Sequence, residues 1–190
     1  MKLDQSFWEE KYKHHRTGWD IGGVSPQLQD YFGDLTEKNQ KILIPGCGNG
    51  YEAIWLAQNG FTDVTVIDLA ATPLAHIQSK APSIKTIQGN FFQVDGYFDL
   101  IIEQTFFCAL DPSLRPQYVD KMATLLKPKG ILAGLLFSIE FDRKGPPFGG
   151  NVAEYQELFD EKFDLITLEP ALLSIQPRLG NEVFFEFRKK

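Results

Sequence analysis

From residue 41 onward the chain alternates short apolar runs with segments of helical period, and few folds accommodate that alternation. The runs at 41–44, 64–67, 84–87, 98–102, 131–137, 165–168 and 183–187 read as strands. Several are apolar at every position, among them Ile42-Leu43-Ile44 and Leu100-Ile101-Ile102. A strand with one wet face would alternate. One that is apolar throughout needs cover on both faces, which a parallel sheet receives from its crossover helices. The helices between carry their own end signals. Thr72-Pro73 reads as an N-cap followed by a proline at the first helical position. Tyr118, Met122, Leu125 and Leu126 share one helical face, and Pro128 and Gly130 then end that helix. Asn151 with Glu154 resembles a capping box ahead of Tyr155, Leu158 and Phe159. Only a loop, 169–181, joins the last two strands, which predicts an antiparallel pair at the sheet's end. The expected class is an open, mostly parallel α/β sheet.

No repeat, low-complexity tract or polar linker divides the 190 residues, so a single domain, 1–190, is expected. Residues 1–40 stand outside the alternation and 41–190 form its core. In the first segment, Ser6 and Glu9 can box a helix carrying Phe7, Trp8 and Tyr12, and an aromatic stretch with Thr17-Gly18-Trp19-Asp20 follows. The 19 Lys and Arg residues against 25 Asp and Glu leave a net charge of −6, which argues against nucleic acid or an anionic membrane as partner. Cys47 and Cys108 are too few for a disulfide scaffold or a four-cysteine zinc site, and no metal-ligand spacing is present. No run approaches the roughly 18 apolar residues of a membrane span, and the first ten residues lack a secretory apolar stretch. The expected setting is soluble and cytoplasmic, with reduced thiols.

The first strand runs straight into Pro45-Gly46-Cys47-Gly48-Asn49-Gly50, and a helix at 51–58 follows. A strand, a tight glycine turn and a helix N-terminus bring backbone N–H groups and a positive dipole end to a ligand. A dinucleotide fingerprint places its third glycine five positions after the first, where this chain has Tyr51. The third glycine is Gly50, one place earlier, which speaks against NAD and for a ligand without pyrophosphate at the turn. Asp68 ends the second strand about 20 residues on, where a carboxylate can accept both ribose hydroxyls of an adenosine. Asn90 and Phe91, after the third strand, offer an acceptor and a ring to an adenine. All of these sit at the carboxyl ends of strands, where open α/β sheets bind ligands.

Longer stretches carry a family likeness: Phe7-Trp8-Glu9-Glu10 through Thr17-Gly18-Trp19-Asp20, Ile44-Pro45-Gly46-Cys47-Gly48, and Phe98-Asp99-Leu100-Ile101. Thr105-Phe106-Phe107-Cys108-Ala109, Leu125-Leu126-Lys127-Pro128 and Gly145-Pro146-Pro147-Phe148 continue it. With these the chain is similar to class I S-adenosylmethionine-dependent methyltransferases. More narrowly, it resembles the thiopurine S-methyltransferase family, above all its halide/thiol (thiocyanate) methyltransferase branch. The resemblance implies a Rossmann-like, seven-stranded sheet with an antiparallel last strand and an N-terminal helical lid. It also implies that Trp8, Tyr12 and Trp19 close over S-adenosylmethionine, Gly46 approaches its methionine part, Asp68 its ribose, and Asn90 with Phe91 its adenine, with Gln104 a further contact. Three positions depart from the pattern. Tyr12 stands where the plant branch has Trp, Asn90 where many relatives have Asp, and Gln104 where relatives have Tyr or Arg.

The implied reaction is displacement at a sulfonium methyl by a small soft nucleophile: a thiol or thiolate, thiocyanate, a halide or a thiopurine. Alignment and a dry aromatic pocket would carry it, with no obligatory general base. Trp19, Phe137 and Phe148 are the candidate acceptor-binding residues, with Phe106 and Phe107 as further wall candidates. His14, His15 and Glu103 are weak candidates for proton or ordering roles, and both cysteines read as buried fillers. The alternatives are a cofactor-binding module without turnover and a nucleotide-dependent oxidoreductase.

Overall fold

In the computed structural model, residues 2–142 and 144–190 are described. The chain forms two compact units, one ending at Val94 and the other beginning at Asp95. The first holds β1 (Lys41–Pro45), β2 (Asp63–Asp68) and β3 (Lys85–Gln88), with α1 (Gln5–Lys13), α2 (Pro26–Gly33), α3 (Tyr51–Gln58) and α4 (Ala71–Lys80). The second holds β4 (Phe98–Gln104), β5 (Leu126–Phe137), β6 (Phe163–Pro170) and β7 (Glu182–Lys189), with α5 (Arg115–Leu125) and α6 (Val152–Phe159). The seven strands are ordered β3-β2-β1-β4-β5-β7-β6 in one sheet. β7 runs antiparallel to both its neighbours, and its pairing with β6 is the one the loop-only connection predicts.

In the first unit β1 pairs parallel with β2, Ile42 opposite Val64, and β2 pairs parallel with β3, Val66 opposite Thr86. Ile42, Leu43 and Ile44 are all buried, so the continuous apolar run is explained by cover on both faces. β3 is the sheet's edge and correspondingly polar and exposed. The short helix α2 has no strong sequence signal. Its two buried anchors, Leu28 and Phe32, are one turn apart, and Pro26 supplies its start.

In the second unit aromatic rings dominate the core. Phe159 of α6 lies 5.1 Å from Phe187 and 5.8 Å from Phe163, and Phe185 and Phe187 are 4.7 Å apart between ring centroids. Each such ring contributes roughly 1.5–3 kcal/mol by leaving water.

Several helix ends differ from expectation. The cap of α1 is Asp4, which accepts from the Phe7 N–H, rather than a Ser6–Glu9 box. Thr72 does not cap α4: the helix begins at Ala71, and its first donors are satisfied by a side chain of α1. α5 ends at Leu125, ahead of Pro128 and Gly130, because Leu126 already extends to pair with Phe98. Residues 127–130 then bulge out before Ile131 pairs with Leu100. Asn151 does cap α6, accepting from the Glu154 N–H, but the Glu154 carboxylate reaches Arg115 instead of completing a box. No helix among the described residues is long and apolar enough to cross a membrane.

Candidate active site

The turn after β1 uses its glycines for backbone conformations that side chains resist. Gly46, Gly48 and Gly50 have φ of 56°, 52° and 71°. A Cβ on Gly48 would stand 3.3 Å from the Tyr12 hydroxyl, so that hydroxyl rests on bare backbone there. One on Gly50 would come within 2.4 Å of the Ile77 side chain, so this third glycine seats the turn against α4.

Asp68 ties the turn to β2. Its Oδ2 accepts from the Gly48 N–H at 3.1 Å and its Oδ1 from the Ala70 N–H at 2.9 Å. Burial nevertheless pushes the carboxyl up from its usual value, outweighing these donors. Such an acceptor gains from further O–H donors, which a ribose would bring.

The aromatic residues of the first segment stack edge to face. Trp8 and Trp19 are 5.4 Å apart, Tyr12 and Trp19 5.7 Å, both pairs with planes at 80°. Tyr12 is buried, and burial with the nearby Asp68 pushes its phenol far up. It is neutral at any working pH and able to donate.

Three carboxylates hold this segment down, with partners that the sequence does not predict. Glu9 of α1 accepts from the Ala71 N–H, the Thr72 N–H and the Thr72 hydroxyl, at 2.8, 3.2 and 2.5 Å. Asp20 accepts from Asn49 Nδ2 at 2.6 Å and from the Tyr51 hydroxyl at 3.4 Å, beside the start of α3. Glu52, buried in the first turn of α3, accepts from the Ser25 N–H at 3.0 Å. Glu9 meets the positive end of a helix that has no cap of its own. The available signal was a pair of acids flanking the aromatic motif together with helices preceded by Ala70 and Gly50, neither of which offers a capping side chain.

The remaining expected residues are placed as follows. Asn90 Oδ1 accepts from the Phe92 N–H at 3.0 Å and closes a short 3-10 turn; one lone pair remains for a ligand. Phe91 is buried, its ring 5.3 Å from Phe92. In the second unit, Gln104 ends β4 with its Oε1 buried and without a hydrogen-bond partner. Phe137 is half-buried, 5.2 Å from the Phe141 ring with the Arg178 guanidinium over its face. Phe148 is half-buried and its N–H donates to the Cys108 carbonyl at 2.7 Å. Phe107 is core, packed on Tyr118 and Tyr155. Cys47 and Cys108 are buried and burial pushes both thiols up, so neither is a ready nucleophile. His14 and His15 are exposed, and His14 pairs with Glu10.

A model of the thiopurine S-methyltransferase family matches residues 3–182. The chain belongs to that family. As a member it is an S-adenosylmethionine-dependent methyltransferase, which removes the oxidoreductase alternative. It is 30% identical to the probable thiol methyltransferase 2 of Arabidopsis thaliana over 96% of this chain and 84% of that protein. It is 27% identical to thiocyanate methyltransferase 1 of Brassica oleracea, over 98% and 86% of the two chains. The fold matches Burkholderia thailandensis 1,6-didemethyltoxoflavin-N1-methyltransferase, solved with S-adenosylhomocysteine, at a TM-score of 0.75. That likeness has 19% identity and covers 98% of this chain and 87% of the other. The residues of the first unit fit the family's cofactor: a bare-backbone cradle at Gly48 and a desolvated acceptor at Asp68.

Proposed function

We propose that this methyltransferase acts on a small soft nucleophile, namely a thiol or thiolate, thiocyanate, a halide or a thiopurine. Carrying this reading is the edge-to-face cluster of Trp8, Tyr12 and Trp19, whose Tyr12 hydroxyl lies against Gly48 of the glycine turn. The relatives named for thiol and thiocyanate methyl transfer support the same acceptor class. Residues 1–40 are assigned as the cofactor-covering part of a single catalytic domain. The setting is assigned as cytoplasmic, in keeping with two buried cysteines that are not paired.

S-adenosylmethionine supplies a methyl group already activated by a sulfonium, so no covalent protein nucleophile is needed. Gly46 and Gly48 admit the methionine part to the backbone. Asp68 would accept from the ribose, Asn90 and Phe91 would hold the adenine, and Gln104 would add an acceptor. Trp8 and Trp19 offer ring faces to the cationic end, a contact that gains about 0.5–2 kcal/mol as water leaves. Trp19, Phe137 and Phe148 are the residues assigned to the acceptor, and their rings would strip water from a soft anion that holds it weakly.

The deciding experiment measures S-adenosylhomocysteine release across a panel of thiols, thiocyanate, iodide and thiopurines. Turnover confined to one or more of these is expected. Product with amine or oxygen acceptors alone, or with none while the cofactor binds, would overturn the acceptor class.

A further inference from the structure

Glu103, next to last in β4, is 0% exposed. Its Oε1 accepts from the Phe106 N–H at 2.7 Å and the Phe107 N–H at 2.9 Å, and its Oε2 accepts from the Tyr118 hydroxyl at 2.5 Å. The titratable groups that face it are Tyr118 from α5, Tyr155 from α6 and Cys108 from the turn itself, all driven toward their neutral forms by burial. From β5 it meets Gly134, where a Cβ would come within 2.6 Å of its own Cβ. The carboxyl thus stands among neutral groups and is satisfied by three donors.

What it grips is a strained turn. Thr105 is β-branched yet sits at φ 59°, a conformation such residues avoid. The turn persists because it is tied repeatedly. Thr105 Oγ1 donates to the Gln104 carbonyl at 2.7 Å, and Cys108 Sγ to the Thr105 carbonyl at 3.2 Å. Just before the strained residue comes Gln104, whose Oε1 has no partner. Strain beside an unpaired acceptor at a strand's carboxyl end is the pattern of a positioned ligand contact.

We propose that Glu103 is a positioning residue for methyl transfer: through the Phe106 and Phe107 N–H groups it holds the Thr105 turn and so sets the place of the Gln104 amide, a role resting on the cofactor contact assigned to Gln104 above. Burial pushes its carboxyl up to about 7. The ionised form accepts the two N–H groups more strongly, so the turn tightens as pH rises through that value. Stability moves the opposite way, because the folded chain keeps the proton over a range where the unfolded chain has released it. A residue serving the fold alone would move turnover and stability together.

The test uses the full chain, wild type, Glu103→Gln, Tyr118→Phe and Gln104→Ala. Phe106 and Phe107 amide resonances are followed against pH, beside kcat and cofactor affinity, with the best acceptor of constant charge across the window. In the wild type both amides and kcat are expected to titrate with a midpoint near 7. Glu103→Gln should erase both titrations and lower kcat about tenfold above the midpoint. Tyr118→Phe, which removes one donor to the ionised form, should move both midpoints up together and decides the matter if Glu103→Gln does not fold. Amides that do not titrate, a Glu103→Gln enzyme with the wild-type pH profile, or midpoints that separate in Tyr118→Phe would overturn it. Gln104→Ala with unimpaired affinity and turnover would instead remove the cofactor role of Gln104, the ground on which the positioning role stands.

Discussion

The carboxylate of Glu9 closes on Thr72, accepting from its hydroxyl at 2.5 Å and its backbone N–H at 3.2 Å across 63 residues of chain. One side chain thereby caps α4 and fastens α1, the helix that carries Trp8 and Tyr12. The anchoring of α1 and the capping of α4 are the same set of hydrogen bonds, so α1 cannot lift without uncapping a helix.

Glu9→Ala should therefore cost both stability and affinity. Loss of a capping acceptor is worth about 0.5–2 kcal/mol, read as a lower Tm. The freed lid should also weaken S-adenosylhomocysteine binding by calorimetry, and Glu9→Gln, which keeps an acceptor oxygen, should recover part of both. Unchanged affinity in Glu9→Ala would show that α1 does not cover the cofactor.

Asp68→Ala should weaken cofactor binding by about 1–3 kcal/mol, the loss expected where a charged acceptor leaves hydrogen bonds unmade. The variant also frees the Gly48 N–H, so the turn itself should loosen. Equal Kd values for variant and wild type would contradict the ribose assignment.

Gly50→Ala and Gly60→Ala separate two penalties. Both residues have positive φ, 71° and 87°, but the new methyl at Gly60 meets nothing within 4 Å while at Gly50 it strikes Ile77. Gly60→Ala should cost about 1–2 kcal/mol from backbone strain. Gly50→Ala should cost a further 1–3 kcal/mol, roughly, from overpacking, measured by denaturant titration. Similar midpoints for the two variants would mean that the turn and α4 shift apart at no cost.

Raising the pH should reduce stability through Glu103. Its carboxyl is held at about 7 in the fold against an ordinary 4.5, so between those values the folded state binds the extra proton and the free energy of unfolding falls as pH rises. The full penalty, on the order of 3 kcal/mol, is in place above the folded value. Glu103→Gln should flatten this slope in Tm against pH over that window; a slope that survives belongs to other groups.

The strands were legible because burial on both faces writes itself into a run such as Ile42-Leu43-Ile44 with no need of context. The glycine turn was legible for a related reason: positive φ at Gly46, Gly48 and Gly50 demands a residue type that few others can replace. Helix ends were less so. Pro128 and Gly130 look like a stop for α5, yet the pairing of Leu126 with Phe98 ends that helix sooner.

Read alone, the chain determined the alternation of strands and helices, the glycine turn with its acid, and the aromatic content of the first segment, because these depend on local periodicity and on residue chemistry. Tertiary structure decided where the acids go. Glu9 reaches α4, Asp20 reaches Asn49, and Glu103 turns inward to the Phe106 and Phe107 N–H groups. A carboxylate's partner is whichever donor folding brings within about 3 Å, and spacing along the chain carries no record of that distance.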